Sequence, residues 1–111
     1  MFEDQLKSLQ DLNAQATTAI ITYYKGLDDS PEDKLYNIER ALANLDILIM
    51  YCIQVRNSIQ TEIKTLPASS KRAAYDSLEE LRIVQDSAKT VSYNLTAVMH
   101  SIRDLRKVDL L

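Results

Sequence analysis

The sequence predicts an all-α protein, an antiparallel up-down-up bundle of three helices whose second and third helices are long. Two observations predict this fold. The 111 residues include one glycine and two prolines, so few positions can form the turns that β-hairpins need. Apolar residues also recur at intervals of three and four, which places them on one face of a helix. A chain of this length can form one domain, residues 1–111, whose core needs no metal ion or disulfide.

The first helix is expected over about residues 2–25. Its apolar stripe is Phe2, Leu6, Leu9, Ala16, Ile20 and Tyr23. Gly26 follows directly and can adopt the left-handed conformation that ends many helices, with Leu27 supplying the accompanying apolar contact. The next residues, up to Ser30, form the turn.

The second helix, about residues 31–66, has the clearest pattern. Ser30 can cap its first turn, Pro31 suits the first helical position, and Pro67 disfavours helical geometry at the residue before it. One face carries an apolar seam, which consists of Leu35, Ile38, Leu42, Leu45, Ile49, Cys52, Ile59, Ile63 and Leu66.

The third helix is expected over about residues 70–106, with Ser69 or Ser70 as its cap. Because the connections are short, consecutive helices must be antiparallel neighbours. Helix 1 is the shortest and is expected to reach only the neighbourhood of Val55. The tip of the helix 2–3 hairpin then lacks a third helix, so its apolar residues should be only partly covered; they are Ile59, Ile63, Leu66, Leu78 and Leu81.

Arg56 is the one charged residue in the seam. In one interpretation Val55 takes over the apolar contact and Arg56 extends its guanidinium to solvent. In the other, Arg56 marks the level at which the cover by the third helix ends. Both interpretations are compatible with the sequence.

Composition argues against several classes of function. The net charge is −3 and the basic residues are dispersed, whereas nucleic-acid binding normally needs a basic stripe. Cys52 is the single cysteine, which indicates a reducing compartment and a thiol that acts as a small core residue. No signal peptide is recognisable, and the longest apolar run, 47–53, is far short of a membrane span. We expect a soluble, cytoplasmic protein that meets membranes only through sequence outside this chain.

No constellation of residues indicates catalysis. His100 is the only histidine, and Cys52 has no histidine near it in the sequence. The densest carboxylate cluster, at 28–33, suits the start of a helix better than a calcium loop. The sequence therefore predicts a non-enzymatic protein with no catalytic, cofactor or metal site.

The outer side of helix 2 carries apolar residues that point away from the seam. Tyr36, Ile47, Met50 and Tyr51 form this group. They are either a partner-binding or dimerisation stripe, or they are covered by a widely packed helix 1. Together with the tip they give the predicted partner-binding residues, which are Tyr36, Ile47, Met50, Tyr51, Ile59, Ile63 and Leu78.

The layout resembles the N-terminal regulatory domain of Qb-type (Vti-like) SNAREs. The similar stretch runs from Ile38 through the turn Leu66-Pro67-Ala68-Ser69-Ser70-Lys71-Arg72 to Leu95. The resemblance implies a three-helix domain in vesicle-mediated transport, with a SNARE motif and a membrane anchor after Leu111. It also implies an adaptor or regulator that docks on the bundle surface.

The predicted function is a non-catalytic protein–protein interaction module, in the form of a SNARE N-terminal domain. The alternative is a small bacterial or phage helical homodimer that acts as a chaperone or assembly factor.

Overall fold

The helices follow one another in the predicted order. The computed structural model describes the backbone of residues 2–109 and the side chains of residues 2–105. Helix α1 spans Glu3–Lys25, α2 spans Pro31–Glu62, and α3 spans Ala68–Asp109. A short 3-10 turn at Ile63–Thr65 follows α2 directly. The described residues form an all-α bundle.

The start of α2 is as predicted. Ser30 lies at the N-cap, and its hydroxyl oxygen accepts a hydrogen bond from the Asp33 backbone N–H at 3.2 Å. Pro31 occupies the first helical position, where its missing N–H costs nothing. The α-helix ends earlier than predicted, at Glu62, because the chain tightens into the 3-10 turn before it reaches Pro67.

The predicted serine cap of α3 is wrong. The helix begins at Ala68, directly after Pro67, so Ser69 and Ser70 lie within its first turn. The Ser70 N–H donates to the Pro67 carbonyl at 2.9 Å. A proline carbonyl can accept this bond although the residue has no N–H to donate. At its other end α3 extends to Asp109, three residues beyond the expected end. The sequence places Arg106 and Lys107 in its last turns, where positive charge is favourable, but their side chains lie outside the described residues.

The end of α1 differs from the prediction as well. Gly26 has φ −101°, which is not left-handed, and its N–H donates to the Tyr23 carbonyl at 3.0 Å. Leu27 is exposed and does not make the expected apolar contact. The helix therefore ends through a tightened last turn and not through a left-handed glycine.

Helix α2 lies between the other two and is packed against both. Its central row repeats every seven residues and is almost fully buried; the row consists of Ile38, Leu45, Cys52 and Ile59. This spacing keeps the row on one face with only slow angular drift. The row supplies the common core of the bundle.

Two further rows flank the central one, and each faces a different helix. Ala41, Leu48 and Val55 form one row, and Val55 lines a cavity together with Gln5 of α1. The other row contains Leu42, Ile49 and Arg56, and Arg56 bonds to Gln85 of α3. The predicted seam therefore has the correct period, but the row with Ala41, Leu48 and Val55 is more buried than the predicted Leu42 and Ile49.

Hydrogen bonds across the helices give their directions. The Tyr51 hydroxyl, late in α2, donates to the Gln5 carbonyl near the start of α1 at 3.2 Å. Arg56 pairs with Gln85 at 2.7 Å, whereas Arg103 pairs with Glu39 at 2.9 Å. Residue numbers fall in α3 as they rise in α2, so these two helices are antiparallel. The cavity linings agree for α1, because Gln5 shares a cavity with Ile59 whereas Thr18 shares one with Arg40.

The expected exposure of the hairpin tip is wrong for two of its five residues. Ile59 is 1% exposed and Leu81 is 0% exposed, whereas Ile63, Leu66 and Leu78 are half-buried. Phe2 precedes α1 and lines a cavity with Ile59 and Glu62, beyond Val55, so it extends the cover of α2 as far as Ile59. Phe2 has a left-handed backbone (φ 59°), which costs an L-residue about 1–2 kcal/mol. Its burial in the core cluster offsets this cost.

Within residues 2–109, none of the helices is both long and apolar enough to cross a membrane.

Candidate functional site

The candidate site is the side of α2 that faces away from its central row. We call it the outer face and define it by Tyr36, Ala43, Ile47 and Met50. Its three large side chains are exposed: Tyr36 by 63%, Ile47 by 55% and Met50 by 57%. Because a helix turns about 100° per residue, all four residues lie roughly opposite Leu45 of the central row. Helix α1 leaves these four residues exposed, so the interpretation in which it packs widely over the group is wrong for them and holds only for Tyr51.

Tyr51 lies at the border between the outer face and α1. Its ring is half-buried, and its hydroxyl donates to the Gln5 carbonyl. A shallow cavity of about 390 Å³ lies beside it, lined by Leu12, Asp46, Ile47, Met50, Tyr51 and Gln54. Tyr51 thus joins α1 to α2, and only its outer edge is available to a partner.

The tip residues of the predicted partner-binding set separate into two groups. Ile59 belongs to the central row and is buried, so a partner cannot contact it while the bundle is closed. Ile63 and Leu78 are half-buried and pack against the core cluster. The structure does not bring these tip residues together with the outer face.

Arg56 turns inward, toward α3. Its Nη1 donates to Oε1 of Gln85, and the Gln85 side chain is only 5% exposed. The Arg56 Nε is buried and has no hydrogen-bond partner among the described residues. Val55 is buried beside it, as the first interpretation predicted, but the guanidinium does not extend freely to solvent. A buried donor without a partner is costly, so this position is a polar weak point of the α2–α3 interface.

A groove between α1 and α3 was not found from the sequence. It has a volume of about 260 Å³ and is lined by Asn13, Ala16, Thr17, Ile20, Leu45, Leu48, Ile83, Val84, Ser87, Ala88 and Val91. Ile83 on its rim is 52% exposed. In the sequence, apolar residues of α3 such as Leu81, Val84, Ala88 and Val91 fall on one broad side of the helix, so only the packing of the helices separates groove residues from core residues. The groove lies on the side of the molecule opposite the outer face.

The residues considered for chemistry are dispersed. Cys52 is a free, fully buried thiol, and burial raises its pKa, which disfavours the reactive thiolate. His100 is exposed on α3. Among the side chains of residues 2–105, no group of three or more His, Cys, Asp or Glu is arranged to hold a metal ion.

Comparisons with protein-family models, with curated proteins and with solved structures give no match to this chain.

Proposed function

We propose that this protein is a non-catalytic protein–protein interaction module and that the outer face of α2 is its binding surface. The observation that carries the proposal is the exposure of Tyr36, Ile47 and Met50, each more than half exposed and all on one side of one helix. Exposed apolar side chains that share one face of a helix form the kind of surface that marks interaction sites.

The chemistry of the surface supports this proposal. Tyrosine and methionine are enriched where proteins contact each other, since tyrosine combines an apolar ring with a polar end and methionine adapts its shape. The surface also lies on a helix that packs against both of its neighbours, so it is rigid. A rigid surface loses little conformational entropy when it binds. The free thiol of Cys52 favours a cytoplasmic location for this activity.

We further propose the N-terminal domain of a Qb-type SNARE as the specific form of this module. The layout supports it: a first helix of 23 residues, a second of 32, a proline turn at Pro67, and a third of 42. Sequencing the reading frame after Leu111 tests this form. A heptad-repeat segment with a central glutamine, followed by an apolar stretch of about 20 residues, is the expected result. A stop codon directly after Leu111 would contradict the SNARE form and leave the interaction module in place.

The matched pair Ile47→Asp and Ile83→Asp tests the binding surface. Both isoleucines are about half exposed, but Ile47 lies on the outer face and Ile83 on the groove rim. We expect Ile47→Asp to lose the partners that chemical cross-linking captures in the source cells, and Ile83→Asp to retain them. A charge placed in an apolar contact must be desolvated, which removes most of the affinity.

Circular dichroism during heating is the control for folding. Both variants should unfold within a few degrees of the wild type, because neither side chain belongs to the core. Loss of cross-links in Ile83→Asp alone would place the binding surface at the groove and refute the outer face. Unfolding of Ile47→Asp would show that Ile47 is a core residue, which would also contradict the proposal.

A further inference from the structure

An acidic row on α1 borders the outer face. Asp4, Asp11 and Thr18 follow one another at seven-residue spacing, and both carboxylates are exposed. Thr18 lines a cavity together with Arg40 and Asn44 of α2. Arg40 precedes Ile47 by seven residues, so the acidic row lies along the Ile47 side of the outer face.

A basic row on α3 borders the opposite side of the outer face. Arg82, Lys89, Thr96 and Arg103 also follow at seven-residue spacing. Arg103 is bonded to Glu39, which lies between Tyr36 and Ala43 in the sequence. Arg82 already pairs with two carboxylates of its own helix. Lys89 is exposed and forms no ion pair with the residues that the structure describes.

Asp11 of the acidic row and Lys89 of the basic row lie at the same level along α2. Leu12, next to Asp11, shares a cavity with Met50. Ala88, next to Lys89, lines the groove together with Leu48. Asp11 and Lys89 are therefore both level with residues 48–50 of α2, one on each side of it.

Symmetry decides how such a surface can meet a copy of itself. A two-fold axis parallel to α2 places α1 of one copy over α3 of the other, so that acidic rows meet basic rows. A two-fold axis perpendicular to α2 and lying in the interface places each acidic row over the other copy's acidic row. The charges of α2 follow the same pattern, because Glu39 bonds to Arg103 of α3 and Arg40 lies toward α1.

We infer that the outer face binds a second copy of this chain in a parallel dimer, with the two-fold axis along α2 and Asp11 of each copy against Lys89 of the other. This inference rests on the proposed function, since it assumes that the outer face binds protein. Contacts of this kind are isologous, so each residue on the axis meets its own copy. Ala43 allows the two α2 helices to approach closely, while Ile47 and Met50 supply the apolar area.

Engineered cysteines at Ala43 and Met50 test the parallel arrangement in the full chain. In a parallel dimer both positions meet their own copies, so Ala43→Cys and Met50→Cys should each form an intermolecular disulfide under mild oxidation. An antiparallel dimer can bring at most one of the two positions to its axis. Wild-type protein controls for Cys52, and Asn94→Cys controls for random collision, because Asn94 follows the groove residue Ser87 by seven residues. Cross-linking at neither position, or at one alone, would overturn the inference.

Charge exchange tests the ionic contacts by sedimentation equilibrium. Asp11→Lys and Lys89→Asp each turn two attractive contacts per dimer into repulsive ones, so each should raise the dimer dissociation constant about tenfold at low salt. The double variant D11K/K89D restores opposite charges and should return within about twofold of the wild-type value. The inference would be overturned if the losses of dimer affinity added up in the double variant. It would also be overturned if neither single variant changed the dissociation constant.

Different experimental results would refute the dimer and the proposed function. If the wild type sediments as a monomer at every concentration while Ile47→Asp still loses its cellular cross-links, the outer face binds a different protein and the dimer is refuted. If the wild type is a dimer that Ile47→Asp leaves intact, the dimer is formed elsewhere and the inference fails as well.

Discussion

At the scale of single residues, Arg56 departs most from the pattern around it. It occupies the α3-facing row of α2, where the neighbouring positions seven residues away are Ile49 and Ile63. Its guanidinium bonds to Gln85, a neutral side chain, so the buried charge has no counter-ion at this contact. A hydrogen bond to a charged group contributes about 1.5–3 kcal/mol, but the desolvation of the guanidinium opposes this gain. The row would be more stable with apolar residues at both positions.

A double-mutant cycle measures this pair. Gln85→Leu removes the acceptor of the Arg56 bond and should lower the free energy of unfolding by about 1–3 kcal/mol. The double variant R56L/Q85L leaves no buried polar group at the site and should be as stable as the wild type or more stable. Urea unfolding of the four proteins provides the comparison. If the double variant loses as much unfolding free energy as Arg56→Leu and Gln85→Leu lose together, the two side chains do not act as a pair.

At the scale of the helices, local chemistry decided the start of α2 but not the start of α3. The N-terminus of α2 was predicted correctly because Ser30, Pro31 and Asp33 act within a single turn. The start of α3 was misplaced, although two serines were available as caps. The chain had already entered the 3-10 turn at Ile63–Thr65, which brought Pro67 to the first turn of α3.

Alanine substitutions at Ser30 and Ser69 separate a true cap from a misassigned one. Ser30→Ala removes the acceptor for the Asp33 N–H and should cost about 1 kcal/mol of stability. Ser69→Ala replaces a residue inside α3 with a better helix former and should cost nothing or stabilise slightly. Thermal unfolding of the two variants gives the comparison. A larger loss of stability in Ser69→Ala than in Ser30→Ala would show that Ser69 caps α3, as the sequence predicted.

At the scale of the whole molecule, the bundle is a flat rod with α2 in the middle. Its principal extents are 65 × 20 × 14 Å, and the radius of gyration of its Cα atoms is 18.0 Å. A compact domain of this length would have a radius of about 13 Å. The elongation follows from one long central helix whose central row is shared by both neighbours.

X-ray scattering checks this shape. The Ile47→Asp variant, which we expect to be a monomer, should have a radius of gyration near 18 Å, close to that of the structure. The parallel dimer inferred for the wild type keeps the same long axis and doubles the mass, so its radius should rise only slightly. A radius near 13 Å in the monomer would refute the rod.

The residues of the outer face could be predicted from the sequence because their position depends only on the rotation of one helix. Tyr36, Ile47 and Met50 point away from the central row at the fixed rotation of a helix, whatever packs elsewhere. The burial of Ile59 was not predictable in the same way. It depends on Phe2, which is far away in the sequence and reaches the tip only through the packing of α1 on α2.

The sequence by itself determined the three helices, their order, the period of the central row and which residues share the outer side of α2. These properties follow from the fixed rise and rotation of a helix and from side-chain chemistry within a turn or two. Only the tertiary structure decided which flanking row faces which helix, that Arg56 bonds to Gln85, that Phe2 covers the tip, and that a groove separates α1 from α3. Those outcomes depend on the azimuth and stagger of whole helices, which are set by the sum of many small contacts and not by any single residue.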